Sequence, residues 1–453
     1  MRHPPTFLLA LLTATATTVP LAGQAPPPVA FENVTVIPMD TERRLAGQTV
    51  VVENGRITAI TPAAQARIPT GATRVDGRGK FLIPGLTETH GHLPAGNAPA
   101  ETVDRTLQLY LLSGVTTVRG MLGHPSQLTW RTEAATWQRL SPRLIVAGPS
   151  FNGNTATSPE VAARMVREQK AAGYDLLKIH PGVSRAAFDA MAATAREVGI
   201  PFAGHVPLDV GVHRAIEAGY ASIDHLDGYV EALIRDGAPV TSAQTGWFGL
   251  ALVDYIDRAK LAPLARATRD AGVWVNATET LMQTMAGEGQ PALMLADPAM
   301  QYWPEAQVNA WANSVRNLQN DPANTAARRA DYLELRTWLI RSLHEAGVGI
   351  ILGSDAPQIG NVPGFSALAE LELMARAGLS PFEALATGTR NVGRYLKEPD
   401  FGTIAVGHRA DLLLLDADPL QDIGNIRQQA GVMVYGRWLP KAEVDRRLAG
   451  MRR

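Results

Sequence analysis

The sequence predicts an α/β protein: a (β/α)8 TIM barrel with a small β-sandwich-like domain formed by the N- and C-terminal segments. The chain has 453 residues, a length that suits one large barrel with an accessory domain. Between about residues 84 and 396, apolar runs of β type alternate with helical stretches, a pattern typical of parallel strands buried on both faces. Shorter β-type runs recur near both ends of the chain.

The eight predicted barrel strands are apolar runs rich in β-branched and aliphatic residues. In chain order they are 81–86, 115–118, 144–147, 176–179, 202–205, 222–225, 273–276 and 348–353. The longest connection follows the seventh run, from 277 to about 326, and carries several aromatic residues. Such a loop either covers the active site or packs its own aromatics. Those residues are Tyr302, Trp303 and Trp311.

The runs at 34–37 and 49–52 match the β character of 411–415 and 432–435 near the other end, so we expect both ends to share one β-domain. The predicted organisation is therefore a signal peptide at 1–25, the N-terminal part of the β-domain at 26–83, the barrel at 84–396 and the C-terminal part of the β-domain at 397–453.

The first 25 residues have the pattern of a secretory signal. Arg2 precedes an apolar run at 7–12, and Gly23 and Ala25 provide the small residues that a signal peptidase needs. The alternative is a buried N-terminal helix. The signal predicts an exported protein, periplasmic or secreted.

Composition restricts the partners and the metal ligands. With 46% hydrophobic and 19% charged residues and a net charge of -1, the chain has no bulk attraction for nucleic acid or an anionic membrane. It contains no cysteine, so any metal must bind histidine, carboxylate or lysine. We therefore expect a small-molecule substrate, and the sequence leaves open a homo-oligomer.

Two histidines, His90 and His92, stand at i and i+2 after the first strand. In extended chain both imidazoles project from one face, and paired neutral nitrogens suit Zn, Ni, Co or Fe. Three further candidates follow other predicted strands: His205, His225 and Asp355. The carboxyl ends of barrel strands meet at one face, so these residues converge on a candidate metal site, although a solvated or packed histidine pair is the alternative for the first two.

Lys178 lies within the short, apolar fourth strand. A charged ammonium there is costly. Burial lowers the pKa of such an amine, which can then add carbon dioxide and become an anionic carbamate able to bridge two metal ions. The alternative is a lysine paired with a nearby carboxylate.

These residues, with the motifs around them, resemble the amidohydrolase superfamily over about residues 30 to 440. The resemblance is greatest to imidazolonepropionase-like amidohydrolases and secreted dipeptidases with a carboxylated lysine. The motifs are Pro84-Gly85-Leu86 through His92, Gly114-Val115-Thr116-Thr117-Val118-Arg119, Lys178, His205, His225, Gly353-Ser354-Asp355 and Gly407-His408-Arg409-Ala410-Asp411-Leu412.

The resemblance implies a hydrolase with two divalent metal ions, Zn by preference, and a hydroxide that bridges them. It implies that His90, His92 and Asp355 bind one ion and that His205 and His225 bind the other. It further implies that Lys178, as a CO2-derived carbamate, bridges both ions, and that Asp355 carries the proton from the attacking hydroxide to the leaving group.

One departure from the family pattern and two candidate contacts bear on the substrate. The tyrosine that often follows the fifth-strand histidine in dipeptide-cleaving relatives is absent, since Val206 and Pro207 follow His205. His180, two residues after Lys178, is the predicted substrate-binding residue, with a supporting role behind the site as the alternative. Arg119 either contacts an acidic substrate or forms a structural salt bridge.

The predicted function is hydrolysis of an amide, peptide-like or cyclic C–N bond. A lactonase or esterase using the same site is one alternative. A one-metal deaminase is another, although Leu208 occupies the position where deaminases of the superfamily have a glutamate. The third alternative is a binding protein that has kept the barrel without its chemistry.

Overall fold

The computed structural model describes residues 26–453 as a mixed α/β protein. The predicted signal peptide at 1–25 lies outside the described residues. The strands are β1 Val29–Val36, β2 Leu45–Glu53, β3 Arg56–Pro62, β4 Thr73–Asp76, β5 Phe81–Pro84, β6 Leu86–Gly91, β7 Val115–Gly120, β8 Arg143–Val146, β9 Leu177–Ile179, β10 Phe202–Gly204, β11 Ser222–Asp224, β12 Trp274–Asn276, β13 Leu412–Leu415, β14 Gln429–Val434 and β15 Arg437–Pro440.

The α-helices occupy the connections between these strands and the end of the chain. They are α1 Ala100–Leu112, α2 Pro125–Ala135, α3 Pro159–Ala172, α4 Arg185–Val198, α5 Gly211–Ala218, α6 Tyr229–Ala232, α7 Leu261–Asp270, α8 Glu279–Ala286, α9 Ala292–Ala296, α10 Glu305–Asn320, α11 Ala326–Glu345, α12 Phe365–Arg376, α13 Pro381–Thr387, α14 Arg390–Leu396 and α15 Lys441–Ala449. Within residues 26–453, none of them is long and apolar enough to span a bilayer.

One sheet joins the two ends of the described chain. Its order is β15-β14-β13-β5-β1-β2-β3, with β4 paired to β1. The junction is the antiparallel pair of β13 and β5, in which Leu413 lies opposite Ile83. Phe31 and Trp438, from opposite ends of the chain, meet edge to face at 5.0 Å. The apolar side chains of this sheet have a core of their own.

The predicted first barrel strand, 81–86, is wrong in its bounds. Residues 81–84 form β5 in the sheet of the two chain ends, and a different strand, β6, begins at Leu86. Gly85 separates the two strands and packs closely against Thr116, since a Cβ at this position would lie 2.2 Å from Oγ1 of Thr116. The apolar run is continuous across this break, so hydrophobicity alone does not reveal two strands in different sheets.

Parallel strands make up the central part of the molecule. One sheet has the order β6-β7-β8 and another has β12-β11-β10-β9. Two isolated parallel bridges, between Ala147 and Leu176 and between Phe151 and Ile179, link the segment after β8 to β9 and so join the two sheets. The predicted eighth strand, 348–353, is not a regular strand: Ile350 makes one parallel bridge to Val275, and the carbonyl of Leu352 accepts a bond from the amide of Thr89. One isolated bridge on one side and one hydrogen bond on the other are too few to form a ladder.

Helix α4 shows how the sequence positions the outer helices. The Ser184 side chain accepts a hydrogen bond from the amide of Ala187, which satisfies one free N–H at the start of the helix. Gly199 ends the helix in the left-handed region at φ 65°, which glycine adopts without strain. Between these ends, Phe188 is fully buried and stacks on Tyr220 with ring centroids 5.8 Å apart.

Two long insertions follow β11 and β12, at 229–260 and 277–326. In the second, Trp303 stacks on Trp311 at 6.0 Å and Tyr302 on Phe365 at 5.0 Å. All but Phe365 of these side chains are buried in a separate apolar cluster. Packing, the second of the two sequence interpretations, therefore accounts for these aromatic residues.

Candidate metal centre

The end of strand β6 places two predicted ligands, His90 and His92, beside the segment that carries Asp355. The amide of Asp355 donates to the carbonyl of His90 at 2.8 Å, and the amide of His92 donates to the carbonyl of Ala356 at 2.7 Å. Asp355 has φ 64°, which few non-glycine residues adopt. Its Oδ1 lies 2.6 Å from Nε2 of His92 and 3.5 Å from Nε2 of His90.

Lys178 lies at the centre of this group. Its Nζ is 3.2 Å from Nε2 of His90, and the side chain is fully buried. Burial lowers its pKa to about 8, although Asp224 and Asp355 oppose the shift. No carboxylate oxygen of residues 26–453 comes within 4.0 Å of Nζ. Lys178 therefore does not form the ion pair that was the alternative interpretation.

Gly204 makes room for that lysine. It has φ 124°, and a Cβ at this position would lie 2.5 Å from the carbonyl oxygen of Ile179 and 2.9 Å from Cδ of Lys178. Any larger residue would displace the lysine or the strand beside it. The glycine thus holds β9 and β10 close together directly below the candidate site.

His205 and His225 stand together at the ends of the next two strands. Their rings stack with centroids 4.4 Å apart. Nδ1 of His225 is 2.8 Å from Oγ1 of Thr278, while its buried Nε2 has no hydrogen-bond partner. Nδ1 of His205 lies 2.7 Å from Oδ2 of Asp227, which favours a proton on Nδ1 and leaves the Nε2 lone pair available.

The structure thus brings all six predicted ligands into one cluster. Three of these residues are close enough to share one ion: ligand atoms of His90, His225 and Asp355 all lie within 4.8 Å of one another. Burial lowers the pKa of His90 and of His225 well below the usual range, so both rings are neutral, the form that binds a metal. Neutral imidazoles, a carboxylate and an unpartnered buried nitrogen are a donor set that fits a divalent transition metal.

His180, the predicted substrate contact, stands beside this cluster. Strand β9 ends at Ile179, and the His180 amide donates to the carbonyl of Phe151. Its ring is half-buried, with its centroid 5.1 Å from that of His205. Burial, with the nearby Lys178 charge, lowers its pKa to about 2, so the ring is neutral and its buried Nδ1 has no partner. The structure therefore places His180 directly beside the ligand cluster.

The sequence interpretation missed two carboxylates that flank His225. Oδ2 of Asp224 is 2.8 Å from Nδ1 of His90, a contact whose angle is outside the range of a hydrogen bond. Asp227 orients His205, and burial raises its pKa to about 7. The spacing Asp-His-x-Asp at 224–227 was the available signal, because histidine ligands commonly pair with a nearby carboxylate.

Glu88 was also missed, although it is fully buried two residues before His90. It accepts bonds from the His90 amide at 2.9 Å and from Oγ of Ser354 at 2.6 Å. Burial raises its pKa to about 7. By joining β6 to the residue before Asp355, Glu88 fixes the two ligand-bearing segments against each other.

Arg119 does not face the open end of the site. Its buried guanidinium bonds to the carbonyl of Thr89, the hydroxyl of Tyr395 and, at 3.1 Å, Oγ of Ser222. It also lies 3.4 Å from Oδ1 of Asp224. Of the two sequence interpretations, the structural salt bridge is the one that this geometry contains.

A second buried ion pair supports the back of His225. Nε of Arg336 donates to Oε2 of Glu279 at 2.8 Å, and both side chains are nearly inaccessible. The remaining nitrogens donate to the carbonyls of His225 at 3.0 Å and Ala277 at 2.9 Å. These bonds therefore fix the backbone at His225 and at Ala277, which precedes Thr278.

An aromatic side chain from the first insertion packs against the ligand histidines. The Phe248 ring is half-buried, with its centroid 5.4 Å from that of His225 and 6.2 Å from that of His205. Its φ is 47°, a conformation that costs about 1–3 kcal/mol in a non-glycine residue and persists only where the surroundings impose it. The hydroxyl of Tyr332 donates to its carbonyl at 2.9 Å.

Comparisons with known proteins indicate the family of this chain. The model of the family described as "Amidohydrolase family" matches residues 81–439. Imidazolonepropionase of Ectopseudomonas mendocina is 27% identical over 86% of this chain and 93% of its own length. An adenine deaminase of Chelativorans sp. is 27% identical over 49% of this chain and 40% of its own length.

Solved structures have the same fold over nearly the whole chain. A protein assigned as a prolidase, from Bifidobacterium longum, superimposes with a TM-score of 0.68 at 25% identity, covering 94% of this chain and 100% of its own. The bottromycin amidohydrolase gives a TM-score of 0.72 at 23% identity, covering 95% and 92%. The α/β fold is therefore TIM-barrel-like, and this chain belongs to the amidohydrolase family as a metal-dependent hydrolase of carbon–nitrogen bonds.

Proposed function

We propose that this protein is an exported, binuclear amidohydrolase that cleaves an amide, peptide-like or cyclic C–N bond. The observation that carries the proposal is Lys178. It lies buried 3.2 Å from a ligand histidine without a carboxylate partner among residues 26–453. A lysine with only a packing role would bury its ammonium there without a compensating charge, which is unfavourable. A carbamate would supply the anionic donor that the neutral histidines lack.

The proposal assigns His90, His92 and Asp355 to one ion and His205 and His225 to the other, with carboxylated Lys178 between them. When bound, two Zn ions supply Lewis-acid chemistry, namely a water of lowered pKa and a polarised carbonyl. Oδ1 of Asp355, which lies 3.5 Å from Nε2 of His90 and 2.6 Å from Nε2 of His92, would take the proton from the attacking water and pass it to the leaving nitrogen. His180, whose ring lies 5.1 Å from that of His205, positions the substrate.

The remaining parts of the proposal concern architecture and location. The bridge between Ala147 and Leu176, the bridge between Val275 and Ile350, and the bond from Thr89 to Leu352 support closure of the parallel strands into a (β/α)8 barrel. The sheet of the two chain ends supports one β-domain from 26–83 and 397–453. A signal peptide at 1–25 would direct the chain to the periplasm or beyond.

Metal removal and reconstitution test the function. Chelator-treated protein should hydrolyse none of a panel of amides, dipeptides, N-acyl amino acids and lactones. Added Zn should restore hydrolysis of at least one amide, because the chemistry depends on the ions. If reconstituted protein hydrolysed only lactones or esters, the C–N assignment would be wrong. If untreated and treated protein were equally active, the metal centre would have no role.

A further inference from the structure

Among residues 26–453, the segments that form the rim of the candidate site carry no lysine or arginine side chain. Each of these segments directly follows a parallel strand or the bridging segment at 350–352. Their residues are histidine, acidic, amide, hydroxyl and apolar, with neither lysine nor arginine. These segments are 92–99, 120–124, 147–153, 180–184, 205–210, 225–229, 277–279 and 354–362. In a barrel, such segments surround the substrate, so the substrate meets no positive side chain there.

Several cations outside these segments have partners within the chain. Arg119 and Arg336 are buried and bonded to Asp224 and Glu279 respectively. In the first insertion each basic residue binds an acceptor: Arg235 the Asp254 carbonyl, Arg258 Glu334 and Lys260 Asp236. A substrate carboxylate beside the scissile bond would therefore lose water without gaining a cation from the described side chains, which is unfavourable.

Phe248 offers an apolar surface at the same rim. Its ring lies beside those of His225 and His205 in tilted arrangements, and Trp247 packs edge to face against it at 5.1 Å. Gly246 and Gly249, with φ 65° and 89°, allow the tight turn that brings the ring to the ligands. The backbone thus holds an aromatic side chain where it can contact the group attached to the scissile bond.

We infer that the site takes substrates whose group beside the scissile bond is uncharged and aromatic, and that it discriminates against amino-acid carboxylates. This inference rests on the proposed hydrolysis. It names a substrate class, neutral N-arylalkyl amides and the corresponding esters or lactones, and it excludes dipeptides and N-acyl amino acids as preferred substrates.

Matched substrates test the inference directly. N-acetylphenethylamine and N-acetylphenylalanine share the amide and the ring and differ in the carboxylate, and N-acetylethylamine lacks the ring. With Zn-loaded protein, kcat/KM for the phenethyl amide should exceed that for N-acetylphenylalanine by at least about tenfold, because an unpaired carboxylate is rejected. A higher value for N-acetylphenylalanine would overturn the inference.

Variants then test the aromatic surface. Phe248→Leu should lower the phenethyl-to-ethyl ratio of kcat/KM about tenfold, mainly through KM, since an aromatic contact is lost. Phe365→Leu is the matched control, because that ring packs on Tyr302 in a different cluster, and it should leave the ratio unchanged. An unchanged ratio in Phe248→Leu would contradict the inference.

Calorimetric binding of the same three amides separates the inference from the proposed function. Tighter binding of the phenethyl amide than of N-acetylphenylalanine, weakened in Phe248→Leu, would support the inference even if Zn-loaded protein hydrolysed nothing and the proposed function failed. Tighter binding of N-acetylphenylalanine would overturn the inference, whatever the rates.

Discussion

Two buried polar clusters lie side by side in this protein, and they differ in how completely the chain satisfies them. Around Arg336, the guanidinium has a carboxylate and two backbone carbonyls within 3.0 Å. Around His90, by contrast, Nε2 of His225 is buried without a partner, and Lys178 has a histidine as its nearest polar neighbour.

The difference separates a structural cluster from a functional one. A buried ion pair in which every guanidinium nitrogen is bonded stabilises the local backbone and needs nothing from outside. Buried nitrogens without partners are costly to fold around, so their presence indicates a ligand that supplies the missing interactions. In an enzyme of this family that ligand is the metal.

Removing the cation from the first cluster should have the largest effect on stability. Arg336→Met leaves Glu279 buried without its partner, which should destabilise the fold by about 3–5 kcal/mol, measured as a lower midpoint of thermal unfolding. Arg258→Met is the control, because its pair with Glu334 is half-exposed and should contribute less than about 1 kcal/mol. Equal shifts in both variants would mean that the Arg336 cluster is not structural.

A smaller effect, on metal affinity instead of stability, should follow from loosening the second cluster. Asp227→Asn keeps the size of the side chain but removes the charge that orients His205, so zinc affinity should fall by roughly 10- to 100-fold. Competition with a chromogenic chelator measures this. The exposed Asp209→Asn, in the same rim segment as His205, should keep wild-type affinity. Unchanged zinc affinity in Asp227→Asn would show that the carboxylate does not support the ligand.

The positions of the six ligand candidates follow from the sequence because they depend only on where strands end. Each stands in, or directly after, a short β-type run, and the ends of parallel strands meet whatever the details of packing. His90 and Asp355 are 265 residues apart by their numbers, yet the bond between their backbones joins them. Lys178 was predictable for a related reason, since a lysine within a buried strand requires an explanation.

The supporting residues could not be located in the same way. Arg336 comes from the middle of α11, and nothing in the pattern of that helix indicates that its side chain reaches the carbonyl of His225. Phe248 depends on the path of an irregular insertion. The break at Gly85 depends on a close contact with Thr116. Each of these is a matter of three-dimensional packing, which periodicity does not encode.

The central claim is that Lys178 joins two metal ions, and the metal content of purified protein tests it most directly. Elemental analysis of Zn-reconstituted wild-type protein should give two ions per chain, and native mass spectrometry should detect the added mass of one carbon dioxide. Lys178→Ala should lose that mass and bind at most one ion, whereas the exposed Lys441→Ala should match the wild type. Two tightly bound ions in Lys178→Ala would contradict the account.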